Sequence, residues 1–150
     1  MEATAWIALI ALGFTGAQAW IAHRKLRFDL YSKRFEVWDG MNVSINEYVS
    51  EISKNKRSAI EPLYSDKLKD IWAKRRSMIS LFPPDVLESL NYIEIRLTDY
   101  AIATASMHRD AGDNNFDERY KAYITAEGRV RDAQAELGNR VHRYIRQYGL

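Results

Sequence analysis

Hydrophobic and polar positions divide the chain into one uncharged apolar run and a series of stretches with helical periodicity. The run is Ala3 to Ala22, "ATAWIALIALGFTGAQAWIA". At about 1.5 Å per residue it measures roughly 30 Å, the thickness of a bilayer's hydrocarbon core. Trp6 and Trp20 lie near its ends, where amphipathic rings favour the headgroup interface. Thr4, Thr15, Gln18, Gly13 and Gly16 make the run moderately apolar. It predicts a transmembrane anchor over residues 1–22, with a cytoplasmic helical domain over 23–150. A signal peptide would suit the small-x-small triplet Ala17-Gln18-Ala19, but Glu2 is the only charge ahead of the run and a basic n-region is missing. A buried soluble helix is the third reading, and the run is long for one.

Beyond the run, Phe28, Tyr31, Phe35, Trp38, Asn42, Ile45, Val49 and Ile52 alternate in steps of three and four. That spacing is a heptad seam, so a coiled-coil-like helix is predicted to leave the membrane and continue into water. Gly40 is its weak point, at about 1 kcal/mol relative to Ala. The seam keeps its register across Gly40, which predicts continuity. Ser53 to Ser65 reads as a polar connection.

Three further helices follow. The second starts at Ser65 as N-cap and carries Leu68, Ile71, Trp72, Met78, Ile79 and Phe82 until Pro83-Pro84 stops it. The third has Asp85 as its predicted N-cap, with Glu88 completing a capping box. Its seam is Val86, Leu90, Ile93, Leu97, Tyr100, Thr104 and Met107, with small residues from Ala101 to Ser106. Gly112-Asp113-Asn114-Asn115 is a turn signal. The fourth carries Phe116, Tyr120, Tyr123, Val130, Leu137, Val141, Tyr144 and Tyr148, with Glu127 and Gln134 at polar seam positions. The fold expectation is all-α: the transmembrane helix continues into an antiparallel four-helix bundle.

Charge sets the orientation. Arg24, Lys25, Arg27, Lys33 and Arg34 follow the run, against Asp29 alone. Translocating such a cluster is costly, so the N-terminus is predicted outside and Leu150 in the cytoplasm, in a single-pass inner-membrane arrangement. The cluster also suits anionic lipid headgroups. A formal net charge of +2 is too small to indicate nucleic acid.

Candidate chemistry is sparse. With no Cys, thiolate sites and cysteine nucleophiles are excluded. The histidines are His23, His108 and His142, and the Glu-x-x-His pattern of a bundle metal site fails, because Ala105 and Asn139 occupy the required positions. Asp113, Asn115 and Asp117 alternate like a calcium loop, but Glu118 replaces its Gly and Ile124 its final Glu. No catalytic residue, metal or cofactor is predicted. Lys74-Arg75-Arg76 is a solvated face, with Arg75 at the bundle edge or meeting an acidic partner. Arg140, Arg143 and Arg146, interleaved with Tyr144 and Tyr148, form a basic amphipathic end suited to lipid or a partner groove. If connectivity is up-and-down, Tyr144 or Tyr148 should pack near Phe28 or Tyr31. Ala11, Thr15 and Ala19, with Gln18 beside them, form a small-residue stripe that predicts self-association.

The stretch "RFDLYSKRFEVWDGM", with the later "ISLFPPDVLESLNYIEIR", resembles uncharacterised bacterial small membrane proteins. Those pair one N-terminal membrane helix with a helical domain. The resemblance implies a cytoplasmic helical domain in a bacterium and supplies no activity and no functional residue. The function expected is a non-enzymatic, membrane-tethered interaction module with membrane lipids and an unidentified protein as partners. The alternatives are a sensor or enzyme whose pocket joins Asn42, Glu127 and Gln134, or an accessory subunit of a larger membrane complex.

Overall fold

The computed structural model describes residues 2–54, 65–108 and 115–149, with side chains for 5–54, 65–108 and 115–146. These residues form four helices: α1 (Glu2–Lys54), α2 (Asp66–Ile79), α3 (Pro84–His108) and α4 (Phe116–Gly149). The protein is all-helical. The predicted turn at Gly112-Asp113-Asn114 and most of the polar connection after Ser53 lie outside the described residues.

α1 is one helix of 53 residues, about 80 Å long, and it passes through Gly40 without a break. A Cβ at Gly40 would meet nothing closer than the Lys74 methylenes at 3.6 Å, so the glycine answers no steric need. From Ala5 on, every α1 residue before Tyr31 is exposed, and the helical core begins only at Tyr31. From that level α1 packs against α2 and α4, α3 packs chiefly on α4, and α2 touches α3 lightly.

The ends of the helices obey local chemistry. Ser65 caps α2, its hydroxyl accepting from the Leu68 amide at 3.2 Å. The Asp85 cap is a correction: α3 begins at Pro84, and the amides of Val86 and Leu87 bond to the Pro83 carbonyl. Proline is suited to that first helical position because its missing N–H would have no helical acceptor. Asp85 instead lies within the first turn, where its charge favours the helix dipole.

The core is built from Trp38, Met41, Ile45, Tyr48 and Ile52 of α1, Leu68, Ile71 and Met78 of α2, Phe82 of the turn, Val86, Leu90, Ile93, Leu97 and Tyr100 of α3, and Val130, Leu137, Val141 and Ile145 of α4. Two shifts from the expected seams have one cause. Met41 and Tyr48 are buried beside the expected Asn42 and Val49, and Ala126 and Ala133 are buried beside Glu127 and Gln134. A polar seam residue is costly in the core, so each helix turns its apolar neighbour inward and leaves the polar group on the flank. Phe28, Phe35, Trp72, Ile79, Phe116 and Tyr120, all expected on seams, are exposed.

Candidate functional site

The site residues read from the sequence lie on surfaces, beginning at the end of the fold nearest the apolar run. Trp6 and Trp20 are exposed on α1, and the Arg24 guanidinium lies over the Trp20 ring, 5.4 Å from its centroid. Lys25 and Arg27 are exposed without an ion pair among the described residues. By length and composition α1 is able to cross a membrane near its N-terminus, and none of its apolar window is buried.

The chain's end returns to this level. Tyr144 packs on Phe82 with ring centroids 5.8 Å apart, and Arg34 covers its other side. His142 meets the edge of Trp38. Tyr31 and Tyr144 both pack against the core, while Phe28 stays exposed. The Tyr148 side chain lies outside those described. Of the basic residues expected to act together, Arg140 is engaged within the fold: it donates to the Asp85 carbonyl at 3.1 Å and pairs with Glu136. Val141 and Ile145 beside it are core residues. Arg143 and Arg146 remain exposed.

The polar seam residues converge only in part. Gln134 donates to Asn46 at 2.7 Å and lies 3.4 Å from the Asn42 oxygen, at mid-height between α1 and α4. Glu127 does not join them and pairs with Arg131 on its own helix. An open hollow of about 790 Å³ is lined by Asn46, Glu47, Ser50, Glu51, Lys54, Asp66 and Lys67 at the far end of α1 and α2.

Two polar groupings and one buried hydroxyl stand between the helices, and only an acidic partner for Arg75 was among the sequence readings. Ser44, almost fully buried, donates to Asp70 and receives the Lys74 ammonium, which is itself 2.7 Å from Asp70. The Lys74 hydrogen bond, then that of Ser44, holds the Asp70 carboxyl below the usual carboxylate range. Arg75 finds its acidic partner inside the chain: it bridges to Glu94 at 2.7 Å and also donates to Asn91. Burial pushes the Glu94 carboxyl up, and Arg75 only partly offsets this. The Tyr48 hydroxyl is buried with no hydrogen-bond partner among the described residues, and burial, then Glu51, pushes it up to about 12. Pairings of Ser44 with α2 and of Arg75 with α3 join residues far apart in sequence, which periodicity on one helix does not reveal.

Trp72 and Ile79, seven residues apart on α2, form an exposed apolar row there, and Ile95 and Ile102 are exposed at the same spacing on α3. Among the described residues no three His, Asp or Glu side chains gather as metal ligands. No family model, curated protein or solved structure matches the chain.

Proposed function

We propose that the chain is a single-pass, membrane-tethered interaction module, with an antiparallel four-helix bundle at the inner face of a bacterial membrane. One observation carries it: α1 is a single helix whose apolar first part touches nothing, while its second part lines the core. A soluble protein has no reason to leave some five turns of Trp, Phe, Ile and Leu in water, since each such side chain gains about 1.5–3 kcal/mol on burial. Lipid supplies that burial.

Orientation rests on the exposed cations Arg24, Lys25 and Arg27 directly after the span, which favour the cytoplasmic side. These, with Trp6 and Trp20, form the headgroup contacts. The exposed Arg143, Arg146 and the end of α4 add to them, because the connectivity brings α4 back toward the bilayer. Enzyme chemistry is the weaker reading, because the pocket expected to join Asn42, Glu127 and Gln134 does not form around its one acid: Gln134 meets the amides Asn42 and Asn46, and Glu127 pairs with Arg131. The exposed row of Trp72 and Ile79 on α2 is the surface offered to a protein partner.

The test uses the full chain in its membrane. Alkaline carbonate should leave it in the pellet, and a cytoplasm-only reporter fused after Leu150 should be active. A soluble chain overturns the tether. An active periplasmic reporter in the same place overturns the orientation alone. Affinity purification in mild detergent should recover a partner that Trp72→Asp releases.

A further inference from the structure

Ile7, Phe14, Ile21, Phe28 and Phe35 recur at every seventh residue of α1, and each is exposed, Phe28 by 69% and Phe35 by 47%. Seven residues are nearly two helical turns, so these side chains form one ridge. Around the helix, Phe28 and Phe35 lie about 60–120° from Trp38, Ile45 and Ile52, which face the protein's own core. Within the span such a ridge costs nothing, because lipid covers it. Phe28 and Phe35 are different: they lie among Arg27, Asp29, Lys33 and Arg34, at the level where α1 leaves the headgroups for water.

We infer that this ridge is the interface of a parallel homodimer, formed by α1 of two copies in register. The inference rests on the proposed membrane span, which gives every copy the same orientation and depth. With the ridge at the d positions of a heptad, the a positions are Ala11, Gln18, Lys25 and Ser32, all exposed. Large d side chains alternating with mostly small or polar a side chains interdigitate as knobs into holes. Gln18 faces its counterpart inside the bilayer, where a hydrogen bond between helices has no competing water. Lys25 is the one position at odds with close contact, and a single charged a residue at the headgroup level fixes register at some cost in stability.

Charge supports the same register. Arg24 falls at a g position and Asp29 at the e position five residues on, the spacing at which g and e′ residues meet in a parallel pair. The pairing also has a defined end. The next a and d positions are Asp39 and Asn42; Asp39 would face its own copy, and Asn42 is turned toward Gln134. The two helices therefore part above Phe35, leaving each core and the Trp72 row free. The small-residue stripe predicted from the sequence shares Ala11 and Gln18 with this face, while Thr15 donates its hydroxyl to the Ala11 carbonyl at 2.8 Å within its own helix.

Because the chain has no cysteine, single cysteines report the interface cleanly. Oxidative cross-linking of membranes bearing Phe28→Cys, Ser32→Cys or Phe35→Cys should give a product of twice the chain's mass, while Leu30→Cys and Lys33→Cys should give background only. Asp29→Arg should sharply reduce cross-linking of Ser32→Cys, and Arg24→Glu added to Asp29→Arg should restore it with the net charge of the cluster intact. Membrane-embedded protein that stays monomeric at all three face positions overturns the dimer and leaves the span standing. Cross-links at Thr15→Cys instead, or a product of another mass, assign the interface elsewhere. Protein found in the soluble fraction removes the span and the pairing together.

Discussion

The guanidinium of Arg34 lies 4.9 Å from the centroid of the Tyr144 ring, while its Nε donates to the Leu81 carbonyl at 3.1 Å. One side chain thus ties α1, the α2–α3 turn and the last turns of α4 together at the end of the core nearest the apolar run.

Arg34→Ala should therefore destabilise the helical core by about 1–2 kcal/mol, from a charged hydrogen bond and a cation–π contact. Arg34→Lys should recover only part of this, since an ammonium cannot cover the ring and reach the carbonyl with the same fork. Thermal unfolding in detergent measures both. Equal stability of all three proteins would show that the contact contributes nothing.

Gly40→Ala should stabilise the protein by about 0.5–1 kcal/mol, because α1 is regular there and the added methyl meets only Lys74 methylenes. Gly128→Ala on α4 should do the same, since nothing lies within 4 Å of its Cβ position. For a chain of this size each kcal/mol raises the unfolding midpoint by about 2–4 °C. A lowered midpoint in the Gly40 variant would mean that α1 bends in solution.

Much of the fold was legible because helices announce themselves on one strand of sequence. Trp38, Ile45 and Ile52 were found by period, Ser65 by its place before an apolar stripe, and the α2–α3 break by Pro83-Pro84. What escaped depends on neighbours. Choosing Asn42 and Val49 over Met41 and Tyr48 is a rotation of one residue, and only the positions of α2 and α4 decide it. Burial of Ala126 and Ala133 had no signal, because alanine is as common on a helix surface as inside. The surfaces were half legible. Arg24, Lys25 and Arg27 were marked by charge, but Arg140 looked free and is tied to Asp85 and Glu136.

Tyr48→Phe should leave the fold intact and stabilise it by up to about 1 kcal/mol. Its hydroxyl is buried without a partner among the described residues, and removing such a group relieves a desolvation cost. Chemical unfolding of the two proteins side by side decides it. A loss above about 1 kcal/mol would indicate that the hydroxyl has a partner in solution.

Acid titration separates two carboxylates. Glu94 is raised in the folded state by burial, so its contribution is fully present below its ordinary value of 4.5 and is lost as pH rises through the raised folded value. Asp70 is lowered, so its contribution is present above its ordinary value of 3.8 and is lost as pH falls through the lowered one. Glu94→Gln should remove the decline in stability with rising pH just above 4.5. Asp70→Asn should flatten the acid limb below 3.8. Unfolding midpoints followed from below 3.8 to above 4.5, compared with the parent chain, give each slope directly.

The account turns on α1 being one helix that passes from lipid into water, and cysteine accessibility in sealed vesicles tests this at chosen depths. Gly13→Cys should resist a membrane-impermeant maleimide in both inside-out and right-side-out vesicles, and react once detergent is added. Ser50→Cys, exposed on the same helix, should react at once in inside-out vesicles and only after permeabilisation in right-side-out ones. Gly13→Cys reacting as fast as Ser50→Cys without detergent would place the apolar run in water and contradict the account.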